Sequence, residues 1–354
     1  MNSIQTMNDS TLFSLIVYVV EDELEAEEDD TIDYSAKEKM FVCEMDIASA
    51  FYGVLIGKSG ETKTKIEHET STQIIFPRRD ENGFVKIRGQ KKTNVQSARR
   101  RMELIIDRNR QMQSITHFLS IPICQSSSSL SKGVCEKYEL FQKSVLEQCA
   151  DERGVNAELF QQANKLHLTI STYVLLSKSE IDFIKETLDE CITDLLKQFM
   201  PTNQERFLVH LKGLEFMNDD PSFVDVLYAK VALVHEKQKN RLQMFLDRLN
   251  EELLKTGLTK QKFDKLKLHV TVMNSLLRRD DTGILEAQKT ARGRVKNSER
   301  ESFDATKILR LFGQYDFGQV ELDEIHLSIM HEPNRKTGYY GCEAKYSLKP
   351  VNNS

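Results

Sequence analysis

No Cys-x-x-Cys pair, no apolar run of bilayer length and no general excess of basic charge occur in this sequence. Each absence narrows the function. The apolar run near the N-terminus, Leu12 to Val20, falls short of the roughly 20 residues a membrane span needs. It has no basic residue before it and acidic residues after it, which is unlike a secretory signal. No membrane partner is expected. The six cysteines, Cys43, Cys124, Cys135, Cys149, Cys191 and Cys342, show no metal-ligand spacing. They are read as reduced thiols of an intracellular protein, with no metal and no cofactor.

The net charge of −5 conceals a division along the chain. Residues 1–40 carry eleven acidic and two basic side chains, whereas residues 58–110 carry fourteen basic and seven acidic ones. A basic segment in a mildly acidic chain points to a local polyanion site. The acid-dominated stretch Glu21 to Asp33 is expected to lie in a largely disordered tail, residues 1–38. With 354 residues, the chain has room for two or three domains at roughly 100–200 residues each.

From Lys39 to Asp107, apolar periodicity and turn residues predict the order β-α-α-β-β-α. Met40–Ile47 suits a strand, and Ala48–Ile56 a helix stopped by Gly57. Glu61–Thr70 suits a helix opened after Gly60. Between these helices lies Gly57-Lys58-Ser59-Gly60. Glycines at both ends let a sugar–phosphate backbone approach, and the following helix N-terminus offers free amides to phosphate. A Gly-x-x-Gly alone is weak evidence; its setting is specific. The run from Val54 through Gly57-Lys58-Ser59-Gly60 to Ile66-Glu67, continued by Glu69-Thr70-Ser71-Thr72-Gln73-Ile74, resembles the core of a type I KH domain. That resemblance implies a nucleic-acid-binding module at 39–108 that clamps about four single-stranded nucleotides, RNA favoured. Lys63 stands where the family usually has an apolar groove residue, which directs the expected contacts of Lys58, Ser59 and Lys63 to phosphate.

Residues 111–350 contain one pattern twice. The strand Ile115–Ile123, a helix around Val134–Ala150 and the strand Leu166–Ile170 come first. The strand Val226–Val234, a helix around Glu236–Lys255 and the strand Leu268–Met273 follow. Both second strands carry His-x-Thr. Strand alternation puts His167 with Thr169, and His269 with Thr271, on one face, with apolar residues behind. Two imidazoles facing a cleft supply a base and an acid near neutral pH, and the hydroxyls can hold non-bridging phosphate oxygens. A third copy, His326-Leu327-Ser328, lacks the preceding unit and is read as cleft lining or structural. His117, His210, His235 and His331 are read as structural or surface residues.

The paired motifs, with Thr116-His117-Phe118-Leu119-Ser120-Ile121-Pro122 at the start of the domain, resemble the two-histidine phosphoesterase family. The expected architecture is α+β: a type I KH domain, then a bilobal phosphodiesterase fold with two antiparallel sheets flanked by helices. The resemblance implies a metal-independent site acting on RNA phosphodiesters or on terminal or cyclic phosphates. The combination of modules is also similar to that of a transcription-coactivator subunit. That similarity implies a nuclear, helicase-containing complex linked to transcription regulation and DNA-alkylation repair. The alternative is a non-catalytic RNA-binding subunit whose cleft only recognises phosphate ends.

Overall fold

The computed structural model describes residues 31–78, 83–126, 128–200, 206–217, 219–234, 241–260, 265–278, 288–289, 295–296 and 300–349. The expectations for Leu12–Val20, for the acidic stretch up to residue 30 and for His235 lie outside these residues. The chain divides into two compact units, Met1–Ile106 and Asp107–Ser354.

In the first unit, strands β1 (Ile32–Ser35) and β2 (Met40–Met45) precede helix α1 (Tyr52–Ile56) and helix α2 (Glu61–Thr70). Strands β3 (Thr72–Ile75) and β4 (Val85–Gly89) then lead to helix α3 (Lys92–Met112). The antiparallel sheet has the order β1-β2-β4-β3. Helix faces and sheet share a core that includes Phe51, Leu55, Ile66, Ile74, Ile87, Val95 and Met102, all buried. The stretch expected to be tail reaches into this sheet. Ile32 is buried and pairs with Cys43, and Glu38 accepts from Arg88 at 2.8 Å. Acidic composition concealed a short edge strand because only one of its side chains has to be buried.

The second unit contains strand β5 (His117–Pro122), helix α4 (Ser129–Cys149), strand β6 (His167–Tyr173), helix α5 (Lys178–Phe199) and strand β7 (Phe207–Phe216). Strand β8 (Val226–Leu233), helix α6 (Arg241–Lys255) and strand β9 (His269–Asn274) repeat the strand-helix-strand unit. Two short strands, β10 (Gln288–Lys289) and β11 (Val295–Lys296), form a ladder of their own. Helix α7 (Thr306–Phe312) and strands β12 (Asp316–Leu322), β13 (Glu324–Pro333) and β14 (Tyr340–Ser347) complete it.

The strand order is β12-β7-β8-β9-β6-β5-β13-β14, antiparallel throughout. The two antiparallel lobes, β12-β7-β8-β9 and β6-β5-β13-β14, therefore meet edge to edge. Between β6 and β9 the strand pair is Leu168 with Val270, and the bridges Phe160–Met273 and Tyr173–Thr259 extend the junction on either side. The repeated units place their second strands, β6 and β9, side by side at the centre. Helices α4, α5 and α6 bury apolar stripes such as Tyr138, Phe141 and Val145, or Phe245, Leu246 and Leu249, in one core with Leu168, Ile170, Val270 and Val272. That buried face forces the intervening residues of β6 and β9 to the opposite face.

The cysteine expectation is corrected here. Cys124 and Cys135 are joined, with Cα atoms 6.0 Å apart, while Cys43, Cys149, Cys191 and Cys342 are free thiols. Spacing could not reveal this, because the pairing depends on a fold-back. Ser131 donates to Ile123 O at 2.7 Å and turns helix α4 back against the end of β5. The last serines of the run ahead of this helix start it, with Ser128 as the N-cap accepting from Ser131 N. Among the described residues no helix is long and apolar enough to cross a membrane.

Candidate functional sites

The first site is made by backbone conformation. Gly57 has φ 75° and Gly60 φ 82°, and Ser59 between them is also left-handed at φ 55°. A side chain at position 57 would meet Thr62, with Cβ atoms 2.8 Å apart. The loop closes with Gly60 N donating to Gly57 O at 3.2 Å. Because Gly60 is the N-cap of α2, no side chain caps the first amides of that helix. Lys58 and Ser59 are exposed beside them. Amides, helix dipole and one cation thus converge where a phosphate would sit.

The rest of the basic segment is less available than its charge suggests. Lys63 pairs with Glu67 at 3.5 Å, Lys65 with Glu69 at 4.0 Å, Lys86 with Glu44 at 2.9 Å, and Arg99 with Glu103 at 2.8 Å. Arg101 also reaches Glu69. Glu67 is fixed in turn, accepting from Ile74 N at 2.7 Å. Counting charges along the sequence missed these pairs because their carboxylates lie a helical turn away or on other elements.

The second site is made by side chains on β6 and β9. Burial alternates in both strands: Leu168, Ile170, Val270 and Val272 face the core, while His167, Thr169, His269 and Thr271 face the other way. Antiparallel register about Leu168–Val270 sets His167 beside Thr271, and Thr169 beside His269. Each imidazole is thus flanked by the other motif's hydroxyl. Further pairings extend two rows across this face. One runs Glu215, Tyr228, Thr271, His167, Pro122, and the other Lys230, His269, Thr169, Ser120, His326, Lys345.

The histidines are oriented alike. His167 Nδ1 lies 2.7 Å from Lys165 O, and His269 Nδ1 lies 2.7 Å from Lys267 O. A carbonyl only accepts, so each Nδ1 carries the proton and each Nε2 is left for the cleft. Burial pushes His167 down to about 4, against the lift from its carbonyl bond, and His269 lowers it further. Burial also lowers His269, with the Lys267 carbonyl opposing. Both imidazoles are therefore neutral at neutral pH in the free protein. Behind β9, the fully buried Tyr138 hydroxyl is shared between Gln161 O at 2.5 Å and Val272 O at 3.0 Å, which fixes that strand's position.

The surroundings differ. Around His167 stand Phe118, Tyr340 and Tyr339, with ring centroids at 5.2, 5.7 and 6.4 Å. Lys165, only 4% exposed, lies over Tyr340. Beside His269 stands Tyr228, at 5.2 Å, with Lys267 over its ring. His326 is buried two strands from Thr169, with Nε2 2.8 Å from Glu324 Oε2. Among the other histidines, His117 meets Thr116 Oγ1 at 2.9 Å and His210 meets Asp316 at 2.7 Å. Among the described residues no three His, Cys, Asp or Glu side chains gather as metal ligands would.

Sequence reasoning found the four central residues and missed their lysines and aromatics. The signal was present: Lys-Leu-His-x-Thr occurs at 165–169 and again at 267–271. The rings of Phe118, Tyr228 and Tyr340 come from other strands, that of Tyr339 from the turn before β14, and they carry no shared motif.

Residues 115–348 match the AKAP7 2'5' RNA ligase-like domain, and residues 42–104 match the KH domain. A Mus musculus relative, "Activating signal cointegrator 1 complex subunit 1", is 40% identical over 83% of this chain and 80% of its own. Among solved structures, the first KH type I domain of human Vigilin is 23% identical, covering 27% of this chain and 92% of its own, at a TM-score of 0.20. A crystal structure of a Thermus thermophilus protein is 16% identical, covering 67% of this chain and all of its own, at 0.36. Neither structural likeness is strong enough to carry an argument.

Proposed function

The chain belongs to the AKAP7 2'5' RNA ligase-like domain family and carries a KH domain ahead of that domain, and from this premise we propose that it binds single-stranded RNA and cleaves phosphodiesters in it without a metal. The observation that carries the proposal is the crossed placement of His167 beside Thr271 and His269 beside Thr169, with each Nδ1 held by a carbonyl so that Nε2 is the nitrogen left for a substrate.

In this reading a substrate phosphate sits among the two hydroxyls and the two imidazoles. Its negative charge raises the lowered imidazoles toward neutrality, so the proton the free site lacks is taken up with the substrate. His167, held down to about 4, takes the base role and removes the proton of the attacking 2′-hydroxyl or water. His269, protonated on Nε2, returns a proton to the leaving oxygen. Thr169 and Thr271 donate to the non-bridging oxygens as charge builds on them. Internal phosphodiesters and terminal or cyclic phosphates all fit this chemistry. The mouse relative's name supports a place for this chain as a subunit of a cointegrator-type complex. The resemblance to coactivator subunits extends that proposal to a nuclear assembly with a helicase partner.

The test is a panel of labelled RNA, DNA and cyclic-phosphate oligonucleotides incubated with the full chain, with and without chelator. Cleavage of RNA that survives chelation is expected. Tight binding of phosphate ends with no turnover on any substrate would replace the enzyme by a recognition subunit, and loss of turnover with chelator would return the site to metal chemistry.

A further inference from the structure

The two ends of the cleft are built from different chemistry. At the His167 end the rings of Phe118, Tyr339 and Tyr340 close around the imidazole, and Lys165 is withdrawn over Tyr340. At the His269 end the lysines stay in solvent: the Lys230 side chain is 41% exposed and that of Lys267 59%. Lys230 is the cross-strand partner of His269, so both side chains leave the same face of the sheet as neighbours. Lys230 and Lys267 share one carboxylate, Glu215, at 3.8 and 3.9 Å, and Glu215 also accepts from the Tyr228 hydroxyl at 2.8 Å. Two cations against one anion leave a surplus positive charge at the open end.

The placement of Lys230 is built in by its neighbour. The pairing of β7 with β8 shifts register between Leu211 and Leu214, and Gly213 in that irregularity has φ 81°. A Cβ at position 213 would lie 2.7 Å from Lys230 Cε. Gly213 lies on β7, on the side of β8 away from β9, so the bulge and the missing side chain let the lysine stem lie over β7 beside Glu215, at the outer edge of the His269 end.

We propose that the Lys230–Lys267 end of the cleft holds a second phosphate of the substrate, so that the site takes oligonucleotides rather than substrates with a single phosphodiester. This rests on the reading of the cleft as a phosphodiesterase site. The nucleoside on the far side of the scissile phosphate meets the aromatic wall at His167. The chain continues over the lysines, whose charge answers the next phosphate. Glu215 sets the strength of that grip by competing for both ammonium groups.

The experiment compares kcat/KM of the full chain for a dinucleoside monophosphate and for a trinucleoside diphosphate, at low and high salt. A trinucleotide is shorter than the roughly four nucleotides a KH domain clamps, which limits the contribution of the first unit. The trinucleotide should be favoured about tenfold, the scale of one charge-assisted hydrogen bond. Lys230→Ala should remove most of that preference, Lys230→Arg should keep much of it, and Glu215→Gln should widen it. Equal kcat/KM for both substrates, or a preference untouched by Lys230→Ala, would overturn the second-phosphate site while leaving the phosphodiesterase reading intact. Absence of cleavage of either substrate would instead overturn the reading beneath it.

Discussion

The two units build their candidate phosphate sites in opposite ways. In the first, the site is a shape of the main chain: Gly57, Ser59 and Gly60 all have positive φ, and the chief donors are amides. In the second, regular β6 and β9 hold four side chains in place, and the backbone serves as clamp through the carbonyls of Lys165 and Lys267. The difference teaches where each site is fragile. A side chain added to the loop attacks the fold and the function together, whereas side chains removed from the cleft can abolish chemistry and leave the fold standing.

The largest effect expected from that contrast is in the cleft. His167→Ala and His269→Ala should each lower kcat by about 10²–10⁴-fold, the usual contribution of one positioned acid or base. Melting temperature and binding of non-cleavable RNA should change little. The acid assignment is sharpened by a nitrophenyl phosphodiester, whose leaving group needs no proton. That substrate should rescue His269→Ala and leave His167→Ala impaired. Rescue of the opposite variant would exchange the roles.

Next comes the loop. Gly57→Ala pushes a methyl group against Thr62 in a left-handed backbone, a strain on the order of 1–3 kcal/mol. Both RNA affinity and the denaturation midpoint should fall. Lys58→Asp with Ser59→Asp should weaken RNA binding with the midpoint unchanged, and wild-type affinity should drop steeply with salt. If Gly57→Ala bound RNA normally, the loop would not be the clamp.

A smaller effect separates the units by pH. His167 titrates at about 4 when folded against roughly 6.5 when unfolded, so the unfolded chain binds the extra proton first. The stability linked to it is whole above about 6.5 and is lost as pH falls through that window toward 4. Denaturant titrations of the full chain and of His167→Gln should diverge there, with the variant losing less stability. Parallel curves would show that His167 is not buried as described.

The smallest effect is assigned to Lys63. Its partner Glu67 already answers its charge, so Lys63→Ala should change stability by no more than about 0.5 kcal/mol. It should weaken RNA binding less than Lys58→Ala does. The reverse ranking, measured by fluorescence anisotropy at one salt concentration, would restore Lys63 as a main phosphate contact.

Much of both sites was legible because each rests on a short, local signal. Gly57 and Gly60 mark a turn that few other residues adopt, and the alternation around His167 and His269 follows from the two-residue period of a strand. Helix α2 was readable at both ends for the same reason: Gly60 opens it and Thr70 closes it. What stayed hidden depends on chain-distant neighbours. Ile32 is an isolated apolar residue near the end of an acidic stretch, and its strand exists because β2 offers it an edge. Cys124 meets Cys135 only once Ser131 has turned helix α4 back. Phe118, Tyr339 and Lys230 come to the site from β5, from the turn before β14 and from β8, and no spacing along the chain announces them.

The eight-stranded sheet is scored down its middle. Seven strand junctions hold it together, and the one between β6 and β9 has a single strand pair, Leu168 with Val270, flanked by the bridges Phe160–Met273 and Tyr173–Thr259. A sheet usually resists bending through many parallel cross-ties, but this one has its weakest tie where the two imidazoles face each other. In a hydrogen-exchange experiment the amides of this seam should exchange sooner than those of β5 or β8, and a phosphate lodged across it should slow them.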